Sequence, residues 1–157
     1  MKPLVEGRML QALALAPEHC VLEIGTGSGF VTACLGQLAR EVLSVEQHPT
    51  LADRARGRIA ATGAGNVRIE VGDAVLKYEP NREFDAICVT GAVATVPERF
   101  KRWLRVGGRL FVIRGEAPAM EALLITRLDN DQYQEESLFE TDLPYLAHAA
   151  PRKRFAV

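Results

Sequence analysis

Three glycines spaced two apart, Gly25, Gly27 and Gly29, close the stretch VLEIGTGSGF at 21–30, with Thr26 and Ser28 between them. Such a loop reaches positive φ angles and lets a ligand approach bare backbone. Three carboxylates lie near comparable breaks in the apolar pattern: Glu23 just before the first glycine, Glu46 at the end of EVLSVE, and Asp73 between Gly72 and Ala74. An acid set back in an apolar run is favoured when an ammonium or sulfonium lies close. A carboxylate closing a second strand can accept two ribose hydroxyls. One closing a third strand can accept an exocyclic amine such as adenine's. Taken singly, each acid is equally a solvated loop residue or a helix N-cap.

The elements that must position these residues follow from hydrophobic period. LVEGRMLQALAL spaces Leu4, Val5, Met9, Leu10 and Leu13 as one helical face, which Pro17 terminates. CVLEIG reads as a short buried strand, and 30–39 as a helix with Val31, Cys34, Leu35 and Leu38 on one face. EVLSVE (41–46) predicts a second strand, followed by a helix after Pro49 that presents Leu51, Ala55 and Ile59 and stops at TGAG. NVRIEVGD alternates as a strand, FDAICVTG (84–91) is nearly continuous apolar strand, VPERFKRWL is helical and GGRLFVIRG is a fifth strand. Strand and helix alternate, so the expected fold is α/β, a mostly parallel sheet with helices on both faces. The last third departs from this rhythm: EALLITRLD, the turn NDQ and YQEESLFET predict an antiparallel hairpin at the sheet edge, seven strands in all.

In such a sheet ligands bind beyond the carboxyl ends of the strands, where strand order reverses, and the glycine loop faces that crevice. A nicotinamide fingerprint needs G-x-G-x-x-G, but counting from Gly25 its third glycine falls on Phe30. A bulky aromatic there obstructs a pyrophosphate, so a ligand without phosphates fits better. An amino acid, a ribose and an adenine in succession spell S-adenosylmethionine, with S-adenosylhomocysteine as its product. The expected cofactor-binding residues are Glu23, Gly25, Thr26, Gly27, Ser28, Gly29, Glu46, Gln47, Gly72, Asp73 and Ala74. Gln47 is either a frame for the adenine or a polar turn residue. Thr90 and Gly91, in VTGA, lie where an acceptor would meet the methyl group, although Thr90 is also a plausible strand end.

VLEIGTGSGF, SVE, GDA and the long segment FDAICVTGAVATVPERFKRWLRVGGRLFVIRGE together resemble the protein-L-isoaspartate O-methyltransferase family. The similarity runs from about Pro3 to about Gly115, and its VTGA…VP…L..GG.L portion is the most discriminating. The resemblance implies a Rossmann-like class I methyltransferase fold. It also implies methyl transfer from S-adenosylmethionine to the carboxylate of isoaspartyl residues in damaged proteins, a protein-repair activity. It implies no acid–base pair, so no catalytic residue is assigned; an ionised carboxylate is already a nucleophile, and holding it in line with the methyl group is the main task.

Departures from the family pattern accompany the matches. Family members carry further residues ahead of Pro3, including a Ser-x-Pro substrate loop; alignment on Pro3 puts Met1 at the serine and makes Pro3 a candidate substrate contact. In place of the family's terminal VPL the chain reads TDLPYL (141–146), and Asp142 would bring negative charge towards a carboxylate site. The expectation is therefore a divergent or N-terminally truncated member. Its acceptor is an isoaspartyl polypeptide, with a small molecule or RNA, or a cofactor-binding relative without turnover, as alternatives. A hydride-transferring nucleotide enzyme is a remote fourth.

Composition bounds the rest. At 157 residues, nearly half apolar, the chain suits one domain spanning 1–157. A net charge of −1 argues against a nucleic-acid partner, and the basic cluster PRKRF (151–155) reads as a solvated tail. No apolar run approaches the ~20 residues of a membrane span, and MKPLVEGRML lacks a signal-peptide layout, so no membrane and a cytoplasmic monomer are expected. Cys20, Cys34 and Cys88 lack metal spacing and read as buried thiols, while His19, His48 and His148 read as loop histidines; no metal site is expected.

Overall fold

The computed structural model describes residues 1–152, so the end of the basic cluster at 153–155 lies outside the described residues. In chain order the elements are α1 (Pro3–Leu13), β1 (Cys20–Ile24), α2 (Phe30–Leu38), β2 (Glu41–Glu46), α3 (Pro49–Ala61), β3 (Val67–Val71), β4 (Phe84–Val93), α4 (Glu98–Arg102), β5 (Leu104–Glu116), β6 (Ala119–Asp129) and β7 (Gln132–Thr141). The strands form one sheet in the order β3-β2-β1-β4-β5-β6-β7. β1 to β5 run parallel, while β6 and β7 are added antiparallel at the edge, as the change of period from 119 onward requires. Strand order reverses between β1 and β4, which sets the crevice at their carboxyl ends.

Both faces of the central strands are covered, which is why β1 is buried at every position. Val5, Met9 and Leu13 of α1 and Val31 and Leu35 of α2 meet Val21, Val42 and Phe111 on one face. Phe100 of α4 and Trp103 meet Leu22, Ile24, Phe84 and Leu110 on the other. Trp103 is part of the core, and its indole N–H donates to Glu79 at 3.0 Å.

Several sequence expectations shift by a turn. Leu4 is 75% exposed, and Leu38 and Leu51 also face solvent; Thr32 and Ala52 are buried instead. Cys34 is only half-buried, so only two of the three thiols are core. The helix expected over 96–104 is only five residues long, because β5 begins at Leu104. A Cβ at Gly108 would meet the carbonyl oxygens of Arg105 and Phe84 at 2.9 and 3.0 Å, so only glycine fits this close passage of β5 past β4. β4 also runs two residues further than expected, to Val93, and its register against β5 shifts between Cys88 and Ala92. The bulge lies at Thr90 and Gly91, two of the residues marked out in the sequence.

Candidate functional site

The glycine loop leaves β1 with Gly25, Gly27 and Gly29 at φ 95°, 53° and 83°. Gly25 is the most constrained: a Cβ there would fall on Thr90 Oγ1 and come within 3.3 Å of Leu146. The β4 bulge explains that crowding, because it turns the Thr90 hydroxyl onto the carbonyls of Ile24 (3.1 Å) and Gly25. The loop is pinned from outside by Arg58 of α3, which donates to the Ser28 carbonyl at 2.9 Å.

Glu46 closes the loop from the β2 side. Its two carboxylate oxygens accept from Gly27 N–H (2.9 Å) and His48 N–H (3.0 Å), leaving each oxygen a further acceptor position. Asp73, beyond β3, accepts from Val75 N–H and Leu76 N–H through Oδ1, both at 3.0 Å. Gly72 lies under the Tyr78 ring, 2.7 Å from where a Cβ would be. Glu46, Gly72 and Asp73 line an open crevice together with Ile24, Gly25, Gln47, Ala74 and Thr90.

Glu23 lies below the loop and is wholly buried. Its Oε2 accepts from Thr32 Oγ1 and Ser44 Oγ, both at 2.5 Å. Ser44 has one hydroxyl proton, given to Glu23, so Thr26 Oγ1 donates to Ser44 across 2.5 Å. Oε1 has no partner. Burial pushes the carboxyl up to about 7, with the two hydroxyls opposing it and Glu46 adding slightly. Glu23, Gly25, Thr26, Gly27, Ser28 and Thr90 line a second, smaller hollow together with Met1 and Glu6. Gly25, Gly27 and Thr90 are common to both hollows, which adjoin at the glycine loop.

An orphaned, buried carboxylate oxygen beneath the loop suits an ammonium group; two open acceptor positions on Glu46 suit a vicinal diol; and Asp73 suits an amine. The residues present fit an amino-acid nucleoside. Of the expected cofactor residues, Gly29 does not line either hollow; it packs against α3, with Ala55 3.3 Å from its would-be Cβ. Thr26 acts through Ser44 as well as by lining. The substrate candidates divide. Thr90 faces both hollows, whereas Gly91 is packed under Leu146, 2.7 Å from the position of its missing Cβ. Pro3 sits exposed in the first turn of α1 and lines neither hollow. Asp142 does not project its charge alone but pairs with Lys2 at 3.1 Å.

Sequence reasoning missed Ser44, Thr32, Glu6, Leu146 and His148. Ser44 carried a signal, since it is the one small polar residue inside EVLSVE and stands directly opposite Glu23 in the β1–β2 register. His148 carried none; its Nδ1 lies 2.6 Å from Asp73 Oδ2 although 75 residues separate them.

Comparisons with known proteins point the same way. The family model for protein-L-isoaspartate(D-aspartate) O-methyltransferase matches residues 1–143. A protein-L-isoaspartate O-methyltransferase from Magnetococcus marinus is 42% identical over 137 residues, 87% of this chain and 60% of that protein. The chain thus spans about 60% of the length of such curated relatives. A solved protein-L-isoaspartate O-methyltransferase superposes with a TM-score of 0.84 at 25% identity, covering 94% of this chain and 48% of the other. A Plasmodium falciparum structure described as a protein-L-isoaspartate O-methyltransferase in complex with S-adenosyl-L-homocysteine superposes at 0.77 with 20% identity, covering 92% and 73%, and shares the fold. The fold is the Rossmann-like class I methyltransferase fold, and the chain belongs to the protein-L-isoaspartate(D-aspartate) O-methyltransferase family.

Proposed function

We propose that this chain binds S-adenosylmethionine across the two hollows and transfers its methyl group to the carboxylate of an isoaspartyl residue in a polypeptide. The carrying observation is the orphaned Oε1 of Glu23, wholly buried beneath a glycine loop whose far side is held by Glu46. Glu23 takes the ammonium, Glu46 the ribose hydroxyls, and Asp73 with Gln47, Gly72 and Ala74 frames the adenine. When bound, S-adenosylmethionine supplies a methyl group activated by its sulfonium. Thr90, facing both hollows at the β4 bulge, borders the point where methyl donor and acceptor oxygen meet. The chain's own residues bind, align and exclude water, which is sufficient for an acceptor that is already an anion.

Family membership supports the isoaspartyl acceptor. Cytoplasmic action of this single domain as a monomer belongs to the same proposal. Its support is the three unpaired cysteines, which suit a reducing compartment, and one continuous sheet; among the described residues no helix is long and apolar enough to cross a membrane. The test is transfer of a radiolabelled methyl group to an isoaspartyl peptide, with the aspartyl isomer as control. Base-labile label on the isoaspartyl peptide alone supports the proposal. Binding of the cofactor without transfer, or equal labelling of both peptides, defeats the acceptor assignment.

A further inference from the structure

The segment after β7 returns across the sheet to the crevice. β1 pairs with β4 only as far as Ile24 opposite Val89, because the chain then turns away into the glycine loop. The edge of β4 left beyond that point is taken by residues 144–149. Ala92 N–H donates to the Pro144 carbonyl and Leu146 N–H to the Ala92 carbonyl, both at 2.9 Å, which makes a parallel bridge between Ala92 and Tyr145. Ala94 N–H donates to the Ala149 carbonyl at 2.8 Å, and the Tyr145 hydroxyl to the Gly115 carbonyl at 3.0 Å. Leu146 fills the space that side chains at Gly25 and Gly91 would need. Tyr145, Leu146 and Ala147 thereby form one wall of the crevice.

The strap is tied down at the adenine end by His148. An ionised carboxylate only accepts, so the 2.6 Å contact with Asp73 Oδ2 makes Nδ1 the protonated nitrogen. The Gln47 amide nitrogen, 3.5 Å from the same Nδ1, is then a neighbour and not a bonded partner. Asp73 Oδ1 already accepts two backbone N–H groups, so His148 leaves the carboxylate one acceptor position, on a residue that lines the crevice.

We propose that His148 is a positioning residue for the cofactor: it latches the 144–149 strap onto Asp73 and leaves the carboxylate one position for the exocyclic amine of an adenine. The inference rests on the S-adenosylmethionine reading of the crevice. It is tested by calorimetry and stopped-flow release with two probes, S-adenosylhomocysteine and its inosyl analogue, which lacks the exocyclic amine. His148→Ala is expected to weaken S-adenosylhomocysteine about tenfold, mainly through faster release, and to change the inosyl analogue far less. His148→Gln, which keeps a donor, is expected to restore most of the loss. His148 is half-exposed, and melting curves of the two variants are the check that they fold. Equal losses for both probes would make His148 merely structural and overturn the proposal, as would unchanged or tighter binding in His148→Ala. If the unaltered chain binds neither probe, the cofactor reading itself fails, and this inference with it.

Discussion

The crevice at the ends of the parallel strands and the antiparallel edge of the sheet handle charge in different ways. Around the glycine loop Glu23 and Glu46 are buried and held by hydroxyls or backbone N–H groups, and Asp73 by two backbone N–H groups and His148, with no lysine or arginine on any of the three. Across β5, β6 and β7 the charges pair with one another: Arg114, partly exposed, contacts Glu121 at 2.7 Å and Glu135 at 3.1 Å, and Arg127, mostly buried, contacts Glu83 just ahead of β4 at 2.9 Å. Neutral partners leave a carboxylate's charge available to a ligand, whereas an ion pair spends it locally. The crevice is thus suited to a cationic, hydroxyl-rich molecule. The antiparallel half extends the sheet and supplies the strap.

Substitutions on the two sides should separate these roles. The largest effect is expected for Glu46→Ala, which removes two charge-assisted acceptor positions; affinity for S-adenosylhomocysteine should fall by about 3 kcal/mol, more than a hundredfold, in a calorimetric titration. Glu23→Gln should change the pH profile of stability. The Glu23 carboxyl is raised from 4.5 to about 7 in the fold, so the folded state holds the extra proton and stability falls as pH rises between those values. Denaturant unfolding at pH 5 and pH 8 should show a loss on the order of 3 kcal/mol in the unaltered chain that Glu23→Gln largely removes. An ammonium beside Glu23 favours its ionised form, so S-adenosylhomocysteine should bind more tightly as pH rises through 7 and should release a proton on binding. Gly25→Ala should cost about 2 kcal/mol, because φ is 95° there and the added methyl meets Thr90. Arg114→Ala, in the other half, should cost less than about 1 kcal/mol and leave cofactor affinity unchanged.

The parallel half was legible in the sequence because its signals are local. Apolar runs fix β1, β2 and β4, and the glycines and acids mark their ends, so Glu23, Glu46 and Asp73 could be named from spacing alone. What escaped depends on contacts distant in sequence. The short α4 reflects β5 starting at Leu104, the Thr90 bulge reflects register against β5, and the union of Asp73 with His148 spans 75 residues. Exposed Leu4 and buried Thr32 mislead in the same way: helical period names a stripe, but the neighbouring strands decide which edge of it is covered. The packing of Leu146 against Gly91, 2.7 Å from where a Cβ would be, is likewise a contact that local pattern does not foretell.

The central claim is that the orphaned carboxylate under the glycine loop and the two acids beyond it hold a sulfonium nucleoside. The most direct measurement is a calorimetric titration of the chain with S-adenosylhomocysteine at pH 6 and pH 8, set beside NAD. Saturable binding of S-adenosylhomocysteine that tightens at the higher pH, with no heat from NAD, is the predicted result. Binding of NAD in its place, or S-adenosylhomocysteine affinity that weakens as the pH rises, would contradict it.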